Sequence, residues 1–373
     1  MKKYDFILMR GGTSKALFFK EEDMPNDKNL WTKFLLDAMG SPDERQIDGM
    51  GGANSLTSKV AIIKKSTRED ADIDYTFAQV SLTSDVVDFK GNCGNISSAV
   101  APYSIIKGTV KPKIENGRTI IKIFNTNTQK IIEAEIEIKD GTFYDRGQTK
   151  ISGVPGTASS IILSFNNAEG AVTNKLLPTG NAKDKIITSK GEIEISIVDA
   201  ANPLVFINAE NIGLRGNELP QEFSEENLNY IEEIRSIAAE LCDFCKKEEA
   251  TKKSPAVPKA TIISKPQSYT TINGTTLNEK DSDISIRMMS MQKPHKALAI
   301  TGAICITYAL FKEGTLVNLL VKPKKDMKKI RLAHPGGVME VSPNFDGNYL
   351  KGVKVERTAR MIAEGKLNLK EEY

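Results

Sequence analysis

The chain has 373 residues, and 51 Lys and Arg against 48 Asp and Glu leave a formal net charge of +3. That length favours two domains over one, and near-balanced, interspersed charge argues against a nucleic-acid-binding face. Four irregularly spaced cysteines (Cys93, Cys242, Cys245, Cys305) argue against a disulfide framework. No apolar run reaches transmembrane length.

The first residues, Met1 to Arg10, are charged early and then strand-like, unlike a signal peptide. The expectation is a cytoplasmic protein with no membrane partner. Asn29–Met39 reads as a short helix closed by Gly40 and Pro42. Thr57–Ile63 is an apolar strand carrying one cation, Lys59, and Tyr75–Leu82 is apolar on both faces apart from Gln79 and Ser81. A small-residue turn, Gly91–Asn95, opens an apolar helix that continues to about Lys107–Gly108. Gly108, Gly117 and Gly141 mark turns. Ile132, Ala134, Ile136 and Ile138 alternate with glutamates, as a half-buried strand requires, and Ile193, Ile195 and Ile197 repeat the pattern. New strands begin near Lys185, after the Pro178–Asn181 turn.

The longest helix is expected from Glu225 to about Lys247, with Ile231, Ile234, Ala238, Leu241, Cys242 and Cys245 near one stripe. Lys252–Pro258 reads as a connection and Asp283–Met291 as a strand. Thr301–Phe311 is a second helix apolar nearly all round, and Lys324–Lys329 is a solvated turn. A helix without a polar face must be buried. Each half therefore pairs many strands with one buried helix that opens near a glycine. This predicts an α+β fold of two similar domains, residues 1–184 and 185–373, each a curled, mainly antiparallel sheet around a central helix.

Cys93 sits where a helix starts. Unpaired N–H groups there can hold a carboxylate and lower a thiol's pKa; the bland alternative is a small buried hydrophobe. Lys59 is either a strand residue whose tip reaches water or a lysine in a cleft, made basic enough for use by desolvation. Cys242 and Cys245 form a C-x-x-C on an apolar stripe with no second pair and no nearby histidine, so core packing is favoured over zinc. His295 and His334 are too far apart in sequence to suggest a shared metal. Arg287 needs an anionic partner, from a protein carboxylate or from a substrate. No phosphate-loop or dinucleotide fingerprint is present.

Several motifs occur together and in order: Arg10-Gly11-Gly12-Thr13-Ser14-Lys15, Gln46-Ile47-Asp48-Gly49-Met50-Gly51-Gly52, Thr57-Ser58-Lys59-Val60-Ala61, Gly91-Asn92-Cys93-Gly94-Asn95, Gly153-Val154-Pro155-Gly156-Thr157, His295-Lys296-Ala297, Thr301-Gly302-Ala303 and Arg357-Thr358-Ala359-Arg360. As a set they resemble the PrpF family over nearly the whole chain. That family includes 2-methylaconitate cis-trans isomerase, 3-methylitaconate Δ-isomerase and 4-oxalomesaconate tautomerase. Asp74–Ser81 leading to Cys93 looks like the methylitaconate branch.

The resemblance implies a diaminopimelate-epimerase-like fold with the active site between two domains, and Lys59 and Cys93 as the acid–base residues. The second cysteine of the epimerases belongs where this chain has Ala299, which favours an isomerase over a two-thiol racemase. The expected substrate-binding set is Ser14, Ser58, Asn92, Gly94, Asn95, Thr157, Arg287, His295, Thr301 and Gly302. The expected reaction is an allylic proton shift in a small unsaturated di- or tricarboxylic acid, with no metal and no organic cofactor. Alternatives are a keto–enol tautomerase or a non-catalytic tricarboxylate-binding accessory protein to an iron–sulfur dehydratase. Oligomeric state is left open, a homo-oligomer included.

Overall fold

The computed structural model describes residues 3–324, 327–371 and 373. Met1, Lys2 and two members of the lysine-rich run, Lys325 and Asp326, lie outside the described residues. The chain divides into two compact units, residues 1–164 with 356–373, and residues 165–355.

The chain opens with β1 (Lys3–Gly11), β2 (Ser14–Lys20), α1 (Trp31–Met39), β3 (Lys59–Lys65), β4 (Ile73–Val80) and β5 (Val87–Asp88). It continues with α2 (Gly94–Ile106), β6 (Arg118–Asn125), β7 (Lys130–Lys139), β8 (Thr142–Phe143) and β9 (Ile161–Asn166). The second unit begins with β10 (Asp184–Thr188), β11 (Gly191–Ala200), β12 (Asn202–Asn208), α3 (Glu225–Leu241), α4 (Ala250–Lys253) and β13 (Lys259–Ser264). A small ribbon, β14 (Tyr269–Thr270) and β15 (Thr276–Leu277), precedes β16 (Ile284–Ser290), β17 (Lys293–Pro294), α5 (Ile300–Phe311) and α6 (Leu316–Val321). Then come β18 (Ile330–His334), β19 (Gly337–Asp346), β20 (Tyr349–Arg357) and finally β21 (Ala359–Asn368), back in the first unit.

The two units repeat one strand plan. In the first, the spatial order is β21–β1–β2–β3–β4–β6–β7, with β2–β3 and β4–β6 parallel and the other pairs antiparallel. In the second, β10–β11–β12–β13–β16–β18–β19 follows the same succession, with β12–β13 and β16–β18 parallel. Each plan has an outer helix (α1, α3) and a central one (α2, α5) at corresponding places. The duplication expected from the two apolar helices is therefore present.

Every residue of α2 from Gly94 to Ile105 is buried, and the helix touches β1, β2, β3, β6, β7, β8 and β21, so the sheet curls round it. Two of its serines bond within the helix: Ser98 Oγ donates to Asn95 O and Ser104 Oγ to Val100 O. The outer helix α1 buries Trp31, Phe34, Leu35, Ala38 and Met39 against Leu17, Phe19, Val60 and Ile62, and ends at Gly40 in the left-handed conformation.

Two expectations need correction. Helix α3 stops at Leu241 instead of running to Lys247. Asp243 is left-handed (φ 58°), its N–H bonds Glu240 O, and Phe244 N–H reaches back to Ala239 O while its ring packs on the core. That is a Schellman termination with its hydrophobic contact. Cys242 closes the helix in the core, where burial pushes its thiol up to about 12, and Cys245 lies beyond the helix, half-buried. The two cysteines thus do not share a helical stripe. The division at 184/185 also differs: the first unit ends at Ser164 and regains residues 356–373. The reason is pairing, since β21 runs antiparallel to β1 from Lys3↔Asn368 to Gly11↔Ala359. Among the described residues no helix is long and apolar enough to cross a membrane.

Candidate active site

Side-chain alternation decides which face of the first sheet meets α2. Val60 and Ile62 of β3 belong to the core under α1, so Lys59, Ala61 and Ile63 point to the opposite, α2 side. The register of β3 with β4 (Lys59↔Gln79, Ala61↔Phe77, Ile63↔Tyr75) puts Gln79, Phe77 and Tyr75 on that side too. Lys59 is only 7% exposed. Its Nζ donates to Gln79 Oε1 and lies 5.2 Å from the centre of the Phe77 ring. Burial depresses its pKa below the ordinary lysine value, and the charge of Cys93 partly offsets this. Tyr75 is wholly buried, and burial, then the charge of Cys93, pushes its pKa well up against the smaller opposing effect of a hydrogen bond with Ser97.

Cys93 is the N-cap of α2, half-buried, in extended conformation, and its side chain makes no capping hydrogen bond. Ser97 Oγ bonds back to the segment entering the helix, donating to Asn92 Oδ1 at 3.2 Å and Cys93 O at 3.1 Å, which leaves the first N–H groups of α2 without a side-chain cap. The β1–β2 turn closes on the same helix start. Thr13 N–H donates to Asn95 Oδ1 (3.3 Å), and side chains at Gly11 and Gly12 would collide with Asn95, at 2.5 Å from its O and 2.1 Å from its Oδ1. Only glycine permits this approach. Among the described residues, nothing hydrogen-bonds the buried Thr13 Oγ1 and Ser14 Oγ. Together with the first N–H groups of α2 they form a set of donors suited to a carboxylate.

Of the expected set, Lys59, Cys93, Asn92, Gly94, Asn95 and Ser14 gather at the start of α2. Ser58 lies beside them, but its hydroxyl is engaged inside the unit: it donates to Val80 O (2.9 Å) and accepts from Gln46 Nε2 (2.7 Å). Thr157 is exposed, on the loop whose Gly153 faces Thr13: a Cβ added there would lie 3.2 Å from Thr13 Cγ2.

In the second unit, Thr301 and Gly302 lie in the first turn of α5, with Ala299 as N-cap where α2 has Cys93. A side chain at Gly302 would sit 2.2 Å from Met288 Cε, so Met288 faces α5. Arg287, its neighbour, faces the other way, paired with Ile262 over the core of α3. Arg287 Nε donates to Glu218 O, Nη1 donates to Ile286 O at 2.8 Å, and the guanidinium stacks 4.7 Å from Tyr269. The expected grouping of Arg287 with Thr301 and Gly302 is thus not found, because adjacent strand residues point to opposite faces. His295 precedes α5; its Nδ1 accepts from Ala297 N–H (2.9 Å). Sequence reading missed Gln79 and Phe77 as partners of Lys59; the signal was the lone amide of β4, on the strand face it shares with Phe77 and Tyr75.

The family model described as "PrpF protein" matches residues 1–370. The chain belongs to the PrpF family. Among its relatives, YraM of Bacillus subtilis (strain 168) is 54% identical, covering 98% of this chain and 97% of its own. The 3-methylitaconate isomerase of Eubacterium barkeri is 43% identical over 96% and 95%. A solved methylitaconate-delta-isomerase structure matches with TM-score 0.83 at 42% identity, covering 99% of this chain and 96% of that one. The PrpF chain has the diaminopimelate-epimerase-like fold that the motifs implied.

Proposed function

We propose that this protein is a cofactor-independent isomerase that moves a proton across an allylic system in a small unsaturated di- or tricarboxylic acid such as 3-methylitaconate or 2-methylaconitate. The carrying observation is the buried Lys59 held on the face of β3 that meets α2, next to Cys93 at the helix start. Its relatives' names support the substrate class.

A lysine whose ammonium is disfavoured by burial gives up its proton more readily than an exposed one and can serve as a base. Lys59 removes the acidic proton α or γ to a carboxylate. The charge of the resulting dienolate is met by the N–H groups that open α2 and by the Thr13 and Ser14 hydroxyls, as an oxyanion hole meets a developing charge. Cys93 returns a proton at another carbon. Delivery there gives double-bond migration; rotation within the delocalised intermediate gives cis-trans isomerisation.

The test is proton NMR in D₂O with a panel of such acids, comparing native protein with Lys59→Ala and Cys93→Ser. Interconversion or deuterium uptake into one acid is expected, reduced by about 10²-fold or more in each variant. No exchange with any acid would overturn the enzyme reading in favour of a binding protein.

A further inference from the structure

Gln79 stands opposite Lys59 across β3 and β4 and is bonded at both ends of its amide. Nε2 donates to Ser58 O at 2.8 Å and to Ser55 O at 3.2 Å, the carbonyls of the segment leading into Lys59. Oε1 accepts from Lys59 Nζ. An amide held by two backbone carbonyls has no freedom to turn, so its oxygen points in one direction. Lys59 carries four rotatable side-chain bonds and would otherwise sample many positions.

The chemical identity of that partner matters as much as its place. A carboxylate there would make an ion pair and hold the ammonium charged. Among the described residues, the ionisable groups facing this row are Cys93 at the start of α2, Tyr75 four residues before Gln79 on the same face of β4, and Asp88 opposite Gln79 on β5. Asp88 Oδ1 accepts from Lys90 N–H (2.7 Å). Lys15 lies on the far face of β2, in line with Leu17 of the α1 core. Gln79 is thus the neutral acceptor between Lys59 and the acidic Asp88.

We propose that Gln79 is the positioning residue for Lys59: its anchored amide fixes Nζ for proton transfer and, being uncharged, lets the amine lose its proton. The proposal rests on the reading of Lys59 as the base.

Gln79→Met and Gln79→Glu both lose the two amide donations and differ from each other in charge. In Gln79→Met, kcat is expected to fall at least about tenfold with KM changed less than about twofold. In Gln79→Glu, the acid limb of kcat/KM against pH is expected to lie at least about one pH unit above that of Gln79→Met, a tenfold loss on that limb. A second readout does not need turnover. In protein carrying ¹³C-labelled lysine, the Lys59 Cε signal, assigned by its absence in Lys59→Met, should titrate at higher pH in Gln79→Glu. Native kcat in Gln79→Met, or coincident titrations of Lys59 in the two variants, would overturn the proposal. If Gln79→Glu does not fold, the kcat of the near-isosteric Gln79→Met decides. Turnover persisting in Lys59→Met overturns instead the assignment of the base, and the lysine titration still decides whether Gln79 controls its charge.

Discussion

Lys59 is charged in the unfolded chain and disfavoured as an ammonium in the fold, because its strand face is buried under α2, a helix of small and apolar residues with little polar surface. The sign of its pH effects follows. The basic form is the neutral amine, so kcat/KM should rise with pH through a pKa below the ordinary lysine value of about 10.4. Stability follows the proton difference: between that depressed pKa and the unfolded value, the unfolded chain binds more protons, so stability increases with pH across that window. Lys59→Met removes both effects. It should abolish turnover, leave the melting temperature at pH 7 no lower than native, and flatten the dependence of unfolding free energy on pH above neutrality. Urea unfolding at a series of pH values checks this. An undiminished slope in the variant would assign it to another group.

Elements meet at glycines where backbones approach closely, and the β1–β2 turn against α2 is one such place. Gly12 has φ +51° and no room, since a Cβ would lie 2.1 Å from Asn95 Oδ1. Gly141, in the β7–β8 turn, has φ +76° and open space within 4 Å. Both alanine variants pay the left-handed backbone cost of roughly 1–2 kcal/mol, but only Gly12→Ala must also displace the Asn95 side chain in the first turn of α2. Gly12→Ala should therefore lose more stability than Gly141→Ala by urea midpoint, and also lose activity, which Gly141→Ala should keep. Equal losses would remove the close approach from the explanation. At the other outer helix, Ser224 accepts from Asn227 N–H at 3.1 Å as N-cap of α3. Ser224→Ala should cost about 1 kcal/mol with turnover unchanged.

At the scale of the whole molecule, the repeated strand plan differs between units in where its first strand comes from. β10 directly precedes β11, whereas β21 returns from the far end of the chain to pair with β1. Leu369 and Tyr373 complete the core under α1, where the Tyr373 ring meets Phe34 edge-on at 5.6 Å. A chain ending at Arg357 should therefore lose the first unit selectively. By hydrogen exchange, amides in residues 3–164 should lose protection while those in residues 165–355 keep it. Undiminished protection of β1 and β2 would show that β21 is dispensable.

Local pattern alone determined much of this protein. Period-two alternation located β7 and β11, Gly40 ended α1, and the absence of any polar face marked α2 and α5 as the buried helices of two like halves. The motifs placed Lys59, Cys93, Ser14 and Asn95 among the residues of interest, and all four lie near the start of α2. The Schellman end of α3 was written in Asp243 and Phe244 but depended on where the Phe244 ring could be buried. Only tertiary structure decided that β21 belongs with β1, that Arg287 faces α3 and not α5, that Ser58's hydroxyl is engaged with Gln46 and Val80, and that Gln79 holds Lys59. Each of these depends on register between strands distant in sequence, and a one-residue slip reverses every face. Pairing across such distances is set by the packing of the whole sheet, which no window of neighbouring residues contains.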